Sequence, residues 1–297
     1  THPDGGFFST LDARSPDEDG EHVEGAFYVW TPEGVREVLE DAHADLFCDR
    51  YGVTDGGNFE GRTTVLTVSA SYEDLATEYG LDAETVERAL IEARTRAFDA
   101  RTDRPRPARD EKVLAGWNGL MISAFAEAAL TLDRTYAEPA VEAISFVREQ
   151  LWDGERLRRR YSDGVVKIDG YLEDYAYLAR GAFDLFEATR DPEHLGFALE
   201  LAAAIEREFW DETEGTLYFT PADGESLIAR PQELTDQSTP SSIGVAVEIL
   251  DTLDKVSPEH EFGEIAEQVI ETHGSRVRSN PLQHASLTLA ADTVTRG

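Results

Sequence analysis

Apolar residues recur at helical spacing along most of the chain, in segments that come in pairs. Only a short turn separates the members of a pair, and Asp191-Pro192 marks one such corner, because the residue before a proline avoids helical conformation. The paired segments span 113–133 with 136–151, 172–189 with 192–210, and 241–256 with 258–277. More helix is predicted upstream, at 31–47 and 71–98. The pattern therefore predicts a chain built largely from helical hairpins.

Short stretches with Asp-Gly dipeptides connect one helical pair to the next. Asp163-Gly164 and Asp223-Gly224 suit tight β-hairpin turns. Asp19-Gly20 fits the same template near residue 1, where the template's preceding helix is missing. We therefore expect small β-hairpins at 7–29, 156–168 and 217–229, and a chain that starts inside a longer polypeptide.

Repeated helical hairpins of this kind can close into a toroid of parallel inner helices surrounded by outer helices. The N-termini of the inner helices then share one end with the long connections, and they offer free N–H groups and positive dipole ends. The helix at 172–189 has a sparse polar stripe that one helical face would hold, at Glu173, Tyr177, Arg180, Asp184 and Glu187. We expect this face to line a central cavity.

Acids, aromatic residues and amides cluster at or just before the starts of three successive inner helices. Asp174 and Asp236 are the candidate catalytic acid/base pair, because neighbouring helix axes lie about 8–10 Å apart and paired carboxylates suit glycosidic chemistry. The candidate substrate-binding residues are Asp110, Trp117, Asn118, Glu173, Tyr175, Arg230 and Ser241. Among these, the aromatic rings would stack on a sugar, while the amide and the guanidinium would bind hydroxyls or a carboxylate.

Two function classes fit this arrangement. In the first, the chain is an enzyme that acts on a sugar or a related polar small molecule by carboxylate acid/base chemistry. In the second, each acid merely caps its own helix, and the chain is a non-catalytic ligand-binding or scaffold domain. A deep cavity with two converging carboxylates would favour the enzyme, and a plugged centre would favour the scaffold.

The chain carries, in this order, the segments DEKVLAGWNGLMI, GYLEDYAYLARGAFDLFEATRDPEHL, FWDETEGTLYFT and RPQELTDQSTPSS. Their order and spacing resemble those of the thioredoxin-domain-containing proteins of the spermatogenesis-associated type. The resemblance implies an all-α fold over residues 1–297 as a single domain, a partial (α/α)6 toroid of the six-hairpin glycosidase and sugar-epimerase kind with small β-hairpins in the long connections. It also implies a covalently fused N-terminal thioredoxin-like domain that this chain lacks.

One segment departs from the pattern that this resemblance implies. The family commonly has Pro-Ser-Gly-Asn where this chain has Pro240-Ser241-Ser242-Ile243. The missing amide weakens any role that Ser241 would take over from the family.

The net charge of the chain limits the kinds of partner that it can bind. Lys and Arg total 27 against 60 Asp and Glu, for a formal net charge of -33. This balance argues against a nucleic-acid partner, which would require a basic surface. Acids spread along the chain, with only three lysines, are typical of adaptation to high salt, and no stretch approaches the about 18 apolar residues of a membrane span. We expect an acidic, halophilic and cytoplasmic protein.

The number and spacing of the cysteines and histidines argue against several kinds of site. Cys48 is the one cysteine, which excludes an intramolecular disulfide and a CxxC motif. The histidines lack metal-ligand spacing, and there is no phosphate-binding loop. We therefore expect no cofactor and no metal. The expected partners are a small-molecule or sugar ligand and the fused thioredoxin-like domain, with the oligomeric state left open.

The net charge of -33 predicts a salt requirement for folding. Self-repulsion between the acids is screened at molar salt and returns as ionic strength falls. We expect the melting temperature to drop steadily from molar sodium chloride to dilute buffer, with potassium chloride giving the same curve. A melting temperature that does not change over this range would contradict the prediction.

Overall fold

A computed structural model describes residues 1–17, 19–224 and 229–296. The chain forms two compact units, one of Thr1–Ser9 with Glu111–Gly297 and one of Thr10–Asp110. A single toroid domain over 1–297 stays a prediction. Among the described residues, no helix combines the length and the apolar character that crossing a bilayer requires.

The unit Thr10–Asp110, here called the hairpin unit, packs helices around an aromatic core. Its elements are β1 (Thr10–Leu11), β2 (Arg14–Pro16), β3 (His22–Glu24), α1 (Pro32–Val38), α2 (Asp41–Tyr51), α3 (Tyr72–Tyr79), α4 (Ala83–Thr102) and β4 (Arg109–Asp110). Strands β2 and β3 form an antiparallel hairpin inside the predicted 7–29 segment. Trp30, Phe47 and Cys48 pack in the core against the Ala93–Ala97 face of α4. The lone thiol is therefore buried.

The other unit, here called the toroid unit, alternates inner and outer helices. Its elements are β5 (Val113–Leu114), α5 (Ala115–Thr131), α6 (Ala137–Leu151), β6 (Arg158–Ser162), β7 (Val165–Asp169), α7 (Leu172–Thr189), α8 (Pro192–Phe209), β8 (Trp210–Asp211), β9 (Thr216–Leu217), α9 (Ser242–Val256), α10 (Phe262–Ser279) and α11 (Ala285–Arg296). The inner helices α5, α7, α9 and α11 pack side by side in chain order, and α6, α8 and α10 each pack on the inner helix before them. This is the predicted all-α arrangement, a partial (α/α)6 toroid.

The β-hairpins of the toroid unit confirm one prediction and change another. β6 and β7 pair antiparallel around Asp163-Gly164, and both turn residues have positive φ, as a type I′ turn requires. In the third connection, β9 pairs backward with β8, Trp210 opposite Leu217, at the helix end. The returning strand that the sequence predicts at 217–229 falls largely on 225–228, outside the described residues.

Glycines set the spacing between consecutive inner helices. A Cβ atom added at Gly119 would lie 2.5 Å from the backbone of Tyr177 and Leu178, and one at Gly181 would lie 2.5 Å from the Gly119 carbonyl oxygen. Contacts advance in the same direction along α5 and α7, so the two helices run parallel. Gly244 gives α9 a similar approach to α11, because an added Cβ atom there would lie only 2.7 Å from Ser286.

Replacing Gly119 by Ala should destabilise the toroid unit. The added methyl group meets backbone atoms, which cannot rotate away, so the helices must separate. We expect the free energy of unfolding to fall by about 1–3 kcal/mol in denaturant titrations. The matched control is Gly196→Ala in α8, where nothing lies within 4 Å and the gain in helix propensity should stabilise by up to about 1 kcal/mol. Equal effects from the two substitutions would contradict the close contact.

Candidate functional site

The buried helix α7 begins with two acids, Glu173 and Asp174, and Asp174 bonds to the starts of two inner helices. Its side chain lies in the first turn of α7 and is 1% exposed. One carboxylate oxygen accepts from the Gly116 N–H at the start of α5, 3.0 Å away, and the other accepts from the Tyr171 N–H at 3.0 Å. The Arg159 guanidinium donates to the second oxygen at 2.8 Å. The carboxylate thus joins the starts of two inner helices.

Burial and hydrogen bonding oppose one another at this carboxyl. Burial raises the pKa of Asp174 to about 6, against the lowering effect of Arg159 and of the backbone N–H groups of Tyr171 and Gly116. The interior of the toroid unit therefore holds a carboxyl, Asp174, whose protonation changes near neutral pH.

Glu173, one residue earlier, faces a different environment. Arg159 donates to its carboxylate at 2.6 Å, and the Glu173 side chain is 14% exposed. Glu233, in the segment before α9, is half-buried. Burial raises the pKa of Glu233, and the negative charge of Glu173 adds to the rise. Two carboxyls from the starts of neighbouring inner helices therefore lie within each other's electrostatic influence.

Polar and aromatic groups surround these two carboxyls. The Ser242 hydroxyl lies near Glu233 and opposes the rise in the pKa of that carboxyl. The two groups do not form a hydrogen bond, and the buried Ser242 Oγ has no partner among the described residues. The Arg159 guanidinium lies 5.0 Å from the centroid of the Tyr171 ring. Tyr171 in turn stacks on Phe219, with ring centroids 4.8 Å apart. This set of side chains, centred on Glu173 and Glu233, is called the helix-start cluster.

A second polar layer lies further along the inner helices. Arg180 of α7 pairs with Asp184 at 2.8 Å and with Glu248 of α9 at 2.7 Å. The Ser123 hydroxyl of α5 donates to Asp184. Arg180 and Asp184 of the polar stripe predicted on α7 thus bond to polar groups of both neighbouring inner helices, and a cavity lined by the whole stripe stays a prediction.

Asp236 joins the next two helix starts. It accepts from the Ser241 N–H before α9 and from the Ser286 N–H in the first turn of α11, each at 3.1 Å, and from the Ser286 hydroxyl. Burial acts to raise the pKa of Asp236, but the hydrogen bonds from Ser286 and Ser241 outweigh it and lower the pKa. Asp174 and Asp236 both have partners of their own, and their pairing as acid and base stays a prediction.

Three predicted substrate-binding residues are buried and hydrogen-bonded within the toroid unit, and their contact with a ligand stays a prediction. Asn118 is 1% exposed, and its amide binds the Phe7 backbone N–H and carbonyl. Tyr175 is 1% exposed, with its hydroxyl between the Leu157 N–H and Glu208. Ser241 is the buried N-cap of α9. The sequence suggests that these polar groups line a pocket, because sequence position alone does not show whether a side chain is buried.

The other predicted residues have different placements. Trp117, in the first turn of α5, is 43% exposed, and the Glu173 side chain is 14% exposed. Arg230 lies 4.3 Å from the Tyr218 ring and donates to the Thr220 carbonyl. Asp110 belongs to the hairpin unit, where it lies opposite Thr10 in the β1–β4 ladder. A single pocket shared by all the predicted residues stays a prediction.

Arg159 and Glu233 are members of the helix-start cluster that the sequence-based site omits. Alternation along β6 offers a signal for the arginine, because Leu157, Arg159 and Tyr161 share one side of the strand and Leu157 is fully buried. No local signal marks Glu233, since its neighbour Glu173 lies in another connection. In the part of the chain that the structure describes, no group of three or more His, Cys, Asp or Glu side chains is arranged to hold a metal ion.

Comparison with known proteins gives relatives by sequence. No family model matches the chain. It is 35% identical over 279 residues to human spermatogenesis-associated protein 20, covering 83% of this chain and 35% of that protein. It is 27% identical over 317 residues to an uncharacterised protein of Caenorhabditis elegans, covering 98% of this chain and 43% of that protein. The chain thus spans about a third of the length of its human relative.

Solved structures with a similar arrangement are more distant. The cellobiose 2-epimerase of Bacillus thermoamylovorans B4167 has a TM-score of 0.47 at 8% identity, covering 92% of this chain and 66% of that chain. The GH76A α-1,6-mannanase of Salegentibacter sp. HEL1_6 has a TM-score of 0.44 at 17% identity, covering 80% and 70%. TM-scores below 0.5 mark remote likeness, so these neighbours identify no reaction for this chain.

The raised pKa of Asp174 predicts a pH-dependent difference between wild type and Asp174→Asn. Between the ordinary value of 3.8 and about 6, the folded protein holds a proton that the unfolded chain has lost, so the carboxyl's contribution to stability falls as pH rises through this range. The difference in unfolding free energy, wild type minus variant, should therefore shift in favour of the variant from pH 4 to pH 6. Urea titrations at intermediate pH values measure it.

Asp99→Asn is the control for this comparison, because Asp99 is exposed on α4. Its difference from wild type should stay flat over the same pH range. A flat difference for Asp174→Asn would show that the buried carboxyl titrates like an exposed one.

Proposed function

We propose that the toroid unit acts on a sugar or a related polar small molecule by acid/base chemistry, with Glu173 and Glu233 as the reacting carboxyls. One observation carries the proposal: two partly accessible carboxyls, Glu173 in the first turn of α7 and Glu233 in the segment before α9, are near enough for the charge of one to raise the pKa of the other, and their surroundings are unequal. Burial and the charge of Glu173 raise the pKa of Glu233, while Glu173 is salt-bridged to Arg159. Unequal environments of paired carboxyls are a mark of acid/base assignment.

The roles follow from these surroundings. Glu233 retains its proton to higher pH than an ordinary glutamate and is the general acid, which donates to an oxygen of the bound molecule. The Glu173 carboxylate is the general base, and Arg159 orients it through the 2.6 Å salt bridge. Arg159 also offers donors to a hydroxyl or carboxylate of the ligand, because a guanidinium has five N–H groups in a fixed plane.

Aromatic surfaces near the carboxyls suit a ring-shaped polar ligand. The stacked pair Tyr171 and Phe219 lies beside Arg159, and Trp117 at the start of α5 is 43% exposed. Asp174 and Asp236 enter the proposal as positioning residues that hold the helix starts together. They also form the alternative acid/base pair that the sequence suggests.

A second candidate function is a non-catalytic binding or scaffold domain that supports a fused thioredoxin-like module. The observation in its favour is the internal use of polar groups at the helix starts: Asp174, Asp236, Asn118 and Tyr175 all bond within the framework. On this view the acids stabilise helix termini and the unit carries no chemistry.

Binding and turnover of sugars test the proposal. The purified chain in high salt is screened by thermal shift against monosaccharides, disaccharides and sugar acids, and hits are followed for product formation by chromatography. We expect at least one sugar to raise the melting temperature and to be converted. Glu233→Gln and Glu173→Gln should each lower the turnover rate by about 100-fold or more, because each removes a proton-transfer group.

The matched control is Glu206→Gln on the exposed side of α8, which should leave binding and turnover unchanged. Sugar binding that survives both cluster substitutions, with no turnover by wild type, would favour the non-catalytic candidate. No response to any sugar in the panel would overturn the carbohydrate proposal.

A further inference from the structure

The hairpin unit contains a cavity of about 180 Å³ whose lining residues all belong to that unit. Its apolar wall comprises Trp30, Phe47, Tyr51, Leu66, Ala97 and Phe98. Arg94 and Arg101 of α4 complete the lining. Phe98 is 58% exposed, so a large aromatic ring faces solvent at this site.

The two arginines in the lining have no acidic partner among the described residues. With 27 basic residues against 60 acidic ones, an arginine has many possible partners, and elsewhere on α4 Arg88 pairs with Glu84 and Arg96 with Glu92. Among the residues that the structure describes, Arg94 and Arg101 have no salt bridge or side-chain hydrogen bond. An unneutralised pair of guanidinium groups beside an apolar cavity attracts an anion.

Arg101 supplies an independent sign of a missing partner. Its Nε atom is buried and makes no hydrogen bond with any residue that the structure describes. Its guanidinium instead lies 5.3 to 5.6 Å from the ring centroids of Phe98, Phe27 and Tyr28. Stacking on aromatic faces holds the group in place but supplies no acceptor for the Nε–H donor. A buried donor without an acceptor is unfavourable, so a ligand that accepts from it gains affinity.

We propose that this cavity binds a small aromatic carboxylate, with the ring against the aromatic wall and the carboxylate on Arg101 and Arg94. The volume sets the size, because a cavity of about 150 Å³ is known to accept a single benzene ring. The guanidinium sets the charge and the geometry, since it pairs with a carboxylate through two parallel N–H donors. Neither the ring alone nor the charge alone uses both parts of the site.

Titration of the full chain with sodium benzoate, benzyl alcohol and sodium acetate at constant ionic strength tests the proposal. Trp30 lines the cavity and is the one tryptophan of the hairpin unit, so its indole N–H signal in a ¹H–¹⁵N spectrum reports on the site. Trp30→Phe assigns that signal. We expect benzoate to saturate it with a Kd on the order of 1 mM, and benzyl alcohol and acetate to bind at least about tenfold more weakly.

Two variants and a control separate the parts of the site. Arg101→Gln should weaken benzoate about tenfold and remove the preference over benzyl alcohol, because a charge-assisted hydrogen bond is lost. Ala97→Leu keeps both arginines but fills the cavity, and it should weaken benzoate and benzyl alcohol alike. Arg88→Gln, on the same helix but outside the cavity, should behave as wild type. Near-ultraviolet circular dichroism confirms that each variant is folded.

The proposal is overturned if benzoate binds no more tightly than benzyl alcohol, if benzoate shifts another tryptophan signal and not that of Trp30, or if folded Arg101→Gln retains wild-type affinity.

Discussion

The contact between α5 and α7 is the constraint on which the toroid unit depends. Gly119 and Gly181 let the two backbones approach so closely that a single methyl group would collide with main-chain atoms. At this distance the Asp174 carboxylate of α7 reaches the Gly116 N–H of α5. A wider separation would leave a buried carboxylate and a buried helix terminus without their shared hydrogen bond, so packing and electrostatics depend on the same glycines.

Side chains join the helix starts in succession around the partial toroid. Asp174 links α5 with α7, the Tyr177 hydroxyl donates to the Pro240 carbonyl just before α9, and Asp236 links α9 with α11. The two carboxylates accept from backbone N–H groups at helix N-termini, where such donors are left open, and Tyr177 bonds to the backbone that leads into α9. Glu173 and Glu233 remain partly exposed beside these links, and they are the carboxyls to which the proposed function assigns the ligand.

Arginine placement distinguishes two environments in this acidic chain. Arg159 and Arg180 each bridge two carboxylates between elements of the toroid unit, and so offset part of the repulsion that crowded acids create. Arg94 and Arg101 lie instead against aromatic rings in the hairpin unit. The first pair stabilises the framework and the second is available to a molecule from solution, although all four belong to the same residue type.

Local patterns in the sequence were sufficient to determine the helices and their alternation. The segment 172–189 coincides with α7 because apolar spacing and the Asp191-Pro192 corner are properties of adjacent residues. Burial was decided only by the tertiary structure. Asn118 and Tyr175 look like site residues in sequence yet lie inside. Arg159 from another connection pairs with Glu173, and Glu233 from a third comes under the influence of the Glu173 charge. Exposure and pKa depend on groups distant in the chain, such as Gly116 and Asp174, 58 positions apart, and no local pattern encodes their approach.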